Sequence, residues 1–349
     1  MISKAFLAAI RAAKRCRRAG QTLFATIRTA LSAEDPRRFN YALALWSGLV
    51  LVGCVGGGVV FDRLHRLPAP PLTATNCIDE KLKFLHSTDL GDVGLLAVGS
   101  SSTWRNLAFG EIVRAHPEMR PINAAPCYLY MNQTAYLADF LLSEMPHVAT
   151  VLSLVTPRDF EDCRSDDTAF FDERVAHDYI FAKSTPWYLY LTNLRPTAFA
   201  QDLIRLRRMR LDPTHPANLK MDAFGSSPMA ARIGWMPEPR FDDRCFAALA
   251  DLEATTQAHH ARLVVATVPT MPRWRQTFDP DGTIGVHFRE RLRQALREPT
   301  SLFIDGDALT VADDDFADPV HLLGDKVAEF TRFVAGRMFS AGPATAGPT

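Results

Sequence analysis

The chain has 349 residues, with 39 basic and 39 acidic side chains and therefore no net charge at neutral pH. That balance excludes the strongly basic footprint of a nucleic-acid-binding protein, and the lack of an internal repeat excludes a solenoid or propeller. No CxxC pair and no Cys/His cluster at zinc spacing occurs, so no structural metal site is expected.

The neutrality is unevenly distributed. Residues 1–40 carry nine basic side chains against only Glu34 and Asp35, a surplus of seven, and residues 41–349 carry the compensating deficit. Residues 3–31 have helical apolar spacing (Phe6, Leu7, Ile10, Leu23, Ile27, Leu31). They read either as an amphipathic helix on an anionic leaflet or as a solvated basic tail. Tyr41–Phe61 then contains no charged residue. At helical rise it spans about 31 Å, close to the hydrocarbon thickness of a bilayer, and predicts one transmembrane helix. Only Arg63 and Arg66 follow it closely, so the basic surplus predicts a cytoplasmic N-terminus and an exported body at the inner membrane. A cleaved signal is disfavoured by the long lead. A lipoprotein site at Leu51-Val52-Gly53-Cys54 is disfavoured by the apolar residues that continue past Cys54. A buried core helix is disfavoured by length and the basic flank, although Gly53, Gly56, Gly57 and Gly58 weaken a helix here. Gly53 and Gly57 form a GxxxG pair.

Residues 62–90 read as a linker, extended over the proline-rich stretch 67–72. From 91 to 339, short apolar runs alternate with helical patterns. Strands are expected over 94–98, 121–124, 148–155, 262–268 and 301–305. Helices are expected over 102–115, 128–144, 243–260, 286–296 and 323–339. This alternation predicts an α/β fold, a three-layer α/β/α sandwich with a mostly parallel five-stranded sheet. Residues 160–240 interrupt it as an insertion containing a basic helix near 198–209, and 340–349 read as a disordered tail. Four cysteines fall in the exported body, Cys77, Cys127, Cys163 and Cys245, with three possible pairings.

In open parallel sheets ligands bind at the carboxyl ends of the strands. The first strand runs into Gly99-Ser100-Ser101-Ser102, where a helix begins. A serine there is either a helix cap or a nucleophile beside free N–H groups. Three DxxH pairs occur: Asp62/His65, Asp212/His215 and Asp318/His321. Only the last lies after a strand and before the final apolar helix, where its imidazole, held by the carboxylate, can face Ser101.

With those residues in place, the chain resembles the SGNH (GDSL-like) hydrolases. Gly99-Ser100-Ser101 is similar to their first block, and Asp318-Pro319-Val320-His321-Leu322 to their last, over about Gly91–Phe339. The resemblance implies Ser101 as nucleophile, His321 as base and Asp318 as its orienting carboxylate. It implies oxyanion donors in the middle blocks, where Ala125 stands at the family's glycine. In Thr156-Pro157-Arg158-Asp159-Phe160, Arg158 stands at its asparagine, with Asn123 as a substitute donor. The layout of basic N-terminus, single span and exported body is similar to membrane-tethered SGNH-like proteins of the DltD, AlgX and AlgJ type. That implies an acylated envelope polysaccharide as substrate, a multi-span membrane acyltransferase as partner, and no cofactor, metal or nucleic acid. The rival expectation is a non-catalytic scaffold or glycan-binding partner in such a complex.

Side chains outside this constellation have simpler readings. Trp187, Tyr188 and Tyr190 read as a satellite core or sugar-stacking rings. Arg205, Arg207, Arg208 and Arg210 read as a solvated basic face or a contact for an anionic polymer or lipid headgroups. His259-His260 reads as surface rather than a metal site, and Asp313-Asp314-Asp315 as a solvated loop rather than a loose cation site.

Overall fold

The computed structural model describes residues 36–64, 67–73, 75–192, 196–212, 214–215 and 218–340. The basic segment expected to be helical over 3–31, Cys16, His65 and the tail 341–349 lie outside the described residues. The chain divides into two compact units, Met1–Leu67 and Pro68–Thr349.

In the first unit, helix α1 spans Pro36–Arg63, enclosing the expected Tyr41–Phe61, and none of its residues is buried. It is 28 residues long with a best-window mean hydropathy of 2.0, long and apolar enough to cross a bilayer. A Cβ added at Gly53 or Gly57 meets nothing within 4 Å among the described residues.

The elements of the second unit, in chain order, begin with α2 (Asn76–Ser87), β1 (Leu95–Ala97), α3 (Ser101–Arg105), α4 (Phe109–Ala115), β2 (Pro121–Asn123), α5 (Met131–Leu142) and β3 (Thr150–Val155). The insertion contributes α6 (Glu173–Ile180), α7 (Trp187–Thr192) and α8 (Pro196–Leu211). There follow α9 (Asp243–Ala258), β4 (Arg262–Thr267), α10 (Pro272–Phe278), α11 (Thr283–Ala295), β5 (Leu302–Ile304), the pair β6 (Phe316–Asp318) and β7 (His321–Leu322), and α12 (Gly324–Ser340).

Strands β1–β5 form one all-parallel sheet in the order β2-β1-β3-β4-β5. Its strands are apolar on both faces, as a buried parallel sheet requires. Leu96, Val151, Val155, Leu263 and Val265 enter one apolar cluster with residues of α2, α5, α9 and α11. The alternate positions Leu95, Ala97, Leu152, Leu154, Val264 and Ala266 enter a second with residues of α4 and α12. The strand order reverses between β1 and β3, so the crevice at their carboxyl ends is the topological switch point.

Three local departures from the sequence reading have physical causes. The helix expected over 102–115 is two helices, because the Asn106 carboxamide donates to Ser102 O and turns the chain there. The helix expected from Tyr128 starts at Met131: Tyr128 has φ 62, outside the helical region, and Tyr130 is extended with its N–H donated to Gln133 Oε1. The stretch read as linker contains α2, whose Ile78, Leu82 and Leu85 are buried in the first cluster, so the compact unit starts at Pro68 rather than at residue 91.

Two disulfides resolve the three pairings left open by the sequence. Cys77–Cys127 joins α2 to the loop after β2, and Cys163–Cys245 joins the segment after β3 to α9.

Candidate active site

The turn after β1 demands glycine. Gly99 has φ 149, and a Cβ there would sit 2.1 Å from Thr103 Oγ1. Thr103 Oγ1 in turn donates to Leu154 O and accepts from Leu154 N, both at 2.9 Å, locking α3 onto β3. The capping role falls to Ser100, whose Oγ accepts from Ser102 N at 3.1 Å. The Ser101 hydroxyl is thereby left uncommitted: it makes no hydrogen bond among the described residues and faces a cavity of about 650 Å³. The α3 helix has only five residues, so its dipole is small, and the helix-terminus support for negative charge expected from the sequence is correspondingly weak.

The far end of the chain supplies the imidazole. In the β6–β7 hairpin Asp318 pairs with His321, and Asp318 Oδ2 lies 2.8 Å from His321 Nδ1. The other carboxylate oxygen accepts from Val320 N at 2.9 Å and His321 N at 3.1 Å, fixing the carboxylate against its own turn. With Nδ1 donating to a carboxylate, the lone pair lies on Nε2. His321 Nε2 is buried with no hydrogen-bond partner among the described residues, and His321 lines the same cavity as Ser101. Ser101 and His321 are thus brought to one cavity, with Asp318 behind the imidazole, and no hydrogen bond joins the serine to Nε2.

Asn106 holds these two parts together. Its Nδ2 donates to Ser102 O and to Val320 O, each at 2.8 Å, and its Oδ1 accepts from Leu322 N at 2.7 Å. It is fully buried, so all of these bonds are shielded from water.

The three expected oxyanion donors do not line this cavity. Asn123 is buried and spends its Nδ2 on Thr103 O, Trp104 O and Ser226 Oγ, while its Oδ1 accepts from Ala125 N at 3.2 Å. Both groups therefore brace the end of β2. Arg158 pairs with Glu161 and lies 5.6 Å from the Tyr130 ring and 5.9 Å from that of Trp235. It lines a separate small cavity of about 40 Å³ with Thr156 and Val320.

The residue after Arg158 supports the turn that carries Ser101. Asp159 is buried beneath the β1 turn, its Oδ1 accepting from Ser100 Oγ and, at 3.4 Å, from Ser102 Oγ. Its Oδ2 accepts from Thr156 N at 2.7 Å and Thr156 Oγ1 at 2.9 Å. Burial pushes this carboxyl above the ordinary aspartate range, against the pull of the Ser100, Thr156 and Ser102 donors. The signal that could have found it is the Thr156-x-x-Asp159 capping box directly after a strand.

Two buried basic side chains back the site. Lys81 Nζ donates to Asn123 O at 2.9 Å and Gly225 O at 2.6 Å and lies 4.9 Å from the Trp104 ring centroid. Arg105 stacks on the same ring at 3.8 Å and donates to Ser227 O, Ser227 Oγ and Asn218 O. Burial lowers both, Lys81 well below its ordinary value and Arg105 to about 10. Arg105, Arg205, Tyr128 and His215 line the cavity with Ser101 and His321, and no carboxylate among the described residues does. No spacing rule marks Lys81 or Arg105 in the sequence, since their burial follows from packing against Trp104. No known protein-family model and no curated protein matches the chain.

Proposed function

We propose that this is a membrane-anchored serine esterase or O-acyltransferase acting on acyl esters of a cell-envelope or exported polysaccharide. In this reading the second unit is an α/β/α sandwich of the SGNH type on the exported side of the inner membrane, with the basic N-terminus in the cytoplasm. The observation that carries it is the imidazole of His321, bonded through Nδ1 to Asp318 at 2.8 Å, with a partnerless Nε2 in the cavity that Ser101 lines.

The chemistry follows from those atoms. Ser101 Oγ attacks the acyl carbonyl while His321 Nε2 takes its proton. The imidazolium is stabilised by Asp318 and returns the proton to the departing sugar oxygen, leaving the acyl group on Ser101. Water or a second sugar hydroxyl then reverses these steps, giving hydrolysis or transfer from the same three side chains. Proton transfer requires Ser101 Oγ and Nε2 to come within hydrogen-bond reach, a contact that substrate-free sites commonly complete only on binding. The test is labelling of the full chain by a fluorophosphonate probe. Stoichiometric labelling lost in Ser101→Ala supports the reading, and labelling that survives this substitution overturns it.

A second reading, a non-catalytic scaffold or glycan-binding partner beside a multi-span acyltransferase, is favoured by one observation. The donors of Asn123 and Ala125 are engaged within the fold and Arg158 lies on another cavity, which leaves the expected oxyanion hole unassembled. No labelling of folded protein, with complex formation retained in Ser101→Ala, supports this one.

A further inference from the structure

We propose that α7 and α8 form a docking surface for anionic phospholipid headgroups of the bilayer that α1 crosses. The proposal rests on α1 being a membrane span.

One face of α8 is left to solvent with an unusual mixture. Ile204 and Leu211 are 62% and 67% exposed, and Arg208 lies between them at helical spacing on the same face. Arg205 and Arg207 flank that face and are exposed, while Leu206 on the opposite side is buried. On α7, Trp187 and Tyr188 are also exposed. Apolar and aromatic side chains interleaved with arginine are the composition of a helix lying in a membrane interface. Each arginine near an anionic leaflet gains attraction that a neutral surface does not supply. Asp212, which follows α8, is an acidic neighbour, and its carboxylate accepts from Thr214.

The linker independently limits where these helices can be. Tyr190 of α7 donates its hydroxyl to Pro68 O at 2.8 Å. Arg210 of α8 bonds to Glu80, whose Oε1 accepts from Ala69 N at 3.1 Å. Both helices are therefore pinned to Pro68 and Ala69. Pro68 follows Arg63, the last residue of α1, by five positions, and five extended residues reach at most about 18 Å. The covalent tether between the span and the segment that holds Tyr190 and Arg210 is therefore short.

The choice of lipid over a hydrated polyanion follows from Ile204 and Leu211. A carboxylated or phosphorylated polymer satisfies the arginines and leaves both apolar side chains in water, whereas the headgroup–acyl boundary takes both classes. Arg205 and Met209 also line the Ser101 cavity, so the helix that meets lipid is a wall of the candidate site.

The test is hydrogen exchange of the full chain inserted into nanodiscs of phosphatidylcholine alone or with about a third phosphatidylglycerol. Amides of 201–212 are expected to exchange about tenfold more slowly in the anionic discs, the scale set by a few arginines at a charged leaflet. The variant Arg207→Glu/Arg208→Glu, which leaves the cavity residues in place, is expected to lose that protection while the protection of β1, β3 and β4 is unchanged. Equal exchange in the two discs with the span inserted overturns the docking surface. Equal protection on adding a soluble polyuronate to neutral discs overturns the assignment to lipid. Recovery of the chain in the aqueous fraction after alkaline washing overturns the membrane-span reading itself, and the proposal with it.

Discussion

The Asn106 carboxamide oxygen accepts the Leu322 N–H at 2.7 Å, joining residues 216 positions apart in the chain. Through this contact and the donation to Val320 O, the loop after α3 is tied to the hairpin that carries Asp318 and His321. The distance between serine and imidazole is therefore governed by a side chain that belongs to neither. Asn106→Ala is expected to leave the Leu322 N–H and the Val320 and Ser102 carbonyls unpaired in the interior. The cost is about 1–3 kcal/mol, read as a lower urea midpoint, together with slower fluorophosphonate labelling. An unchanged midpoint would show that water replaces these bonds freely.

Asp318 acts on the imidazole tautomer. Asp318→Asn is expected to preserve the hairpin, because the side-chain oxygen that accepts from Val320 N and His321 N can remain. It would present N–H to His321 Nδ1 and favour the wrong tautomer, lowering the acylation rate by about 10⁴-fold. Stopped-flow acylation by an activated ester measures this, and a loss below about tenfold would remove Asp318 from the orienting role.

Asp79 gives the second unit a pH signature. Burial raises its carboxyl from 3.8 to about 7, although its Oδ1 accepts from Thr73 N at 2.7 Å. The folded state thus favours the neutral acid. That stability is fully present below the unfolded value near 3.8 and is lost as pH rises through about 7. Asp79→Asn, which keeps the acceptor and cannot ionise, should match the parent Tm at pH 4 and exceed it at pH 8. Parallel Tm curves across that range would place the titration elsewhere.

The Cys77–Cys127 bond closes a 50-residue separation and joins α2 to the loop beside Tyr128 at the cavity. Replacing both cysteines by serine should cost about 2–5 kcal/mol. Reductant should lower the parent Tm without affecting the variant to the same degree. Equal Tm values for parent and variant under oxidising conditions would deny the bond a role in stability.

Much of the fold was legible because it is written in local pattern. The runs at Leu95–Ala97, Thr150–Val155 and Arg262–Thr267 are apolar on both faces, which only a buried parallel sheet tolerates, and each stands within a residue or two of its expected position. The hairpin Phe316–Asp318/His321–Leu322 and α2 were illegible: the first is two very short strands, and the second follows a proline-rich stretch and has an apolar face apparent only against its neighbours. Asp159 was passed over for Arg158, because spacing by analogy counts residues and does not register which side chain the turn after β3 sends inward.

The uncharged stretch Tyr41–Phe61, the alternation of strands and helices, and the candidates Ser101, Asp318 and His321 follow from the sequence alone, since each depends on residue type and near-neighbour spacing. Tertiary structure decided the rest: that Ser100 rather than Ser101 caps α3, that Asn123 and Ala125 brace β2, which cysteines pair, and that Lys81 and Arg105 lie buried against Trp104. The disulfides, the burial of Lys81 and the bonds from Asn123 to Ser226 and from Lys81 to Gly225 turn on contacts between residues tens to hundreds of positions apart. Such contacts are set by how the sheet and its helices pack in three dimensions, and no local periodicity encodes them.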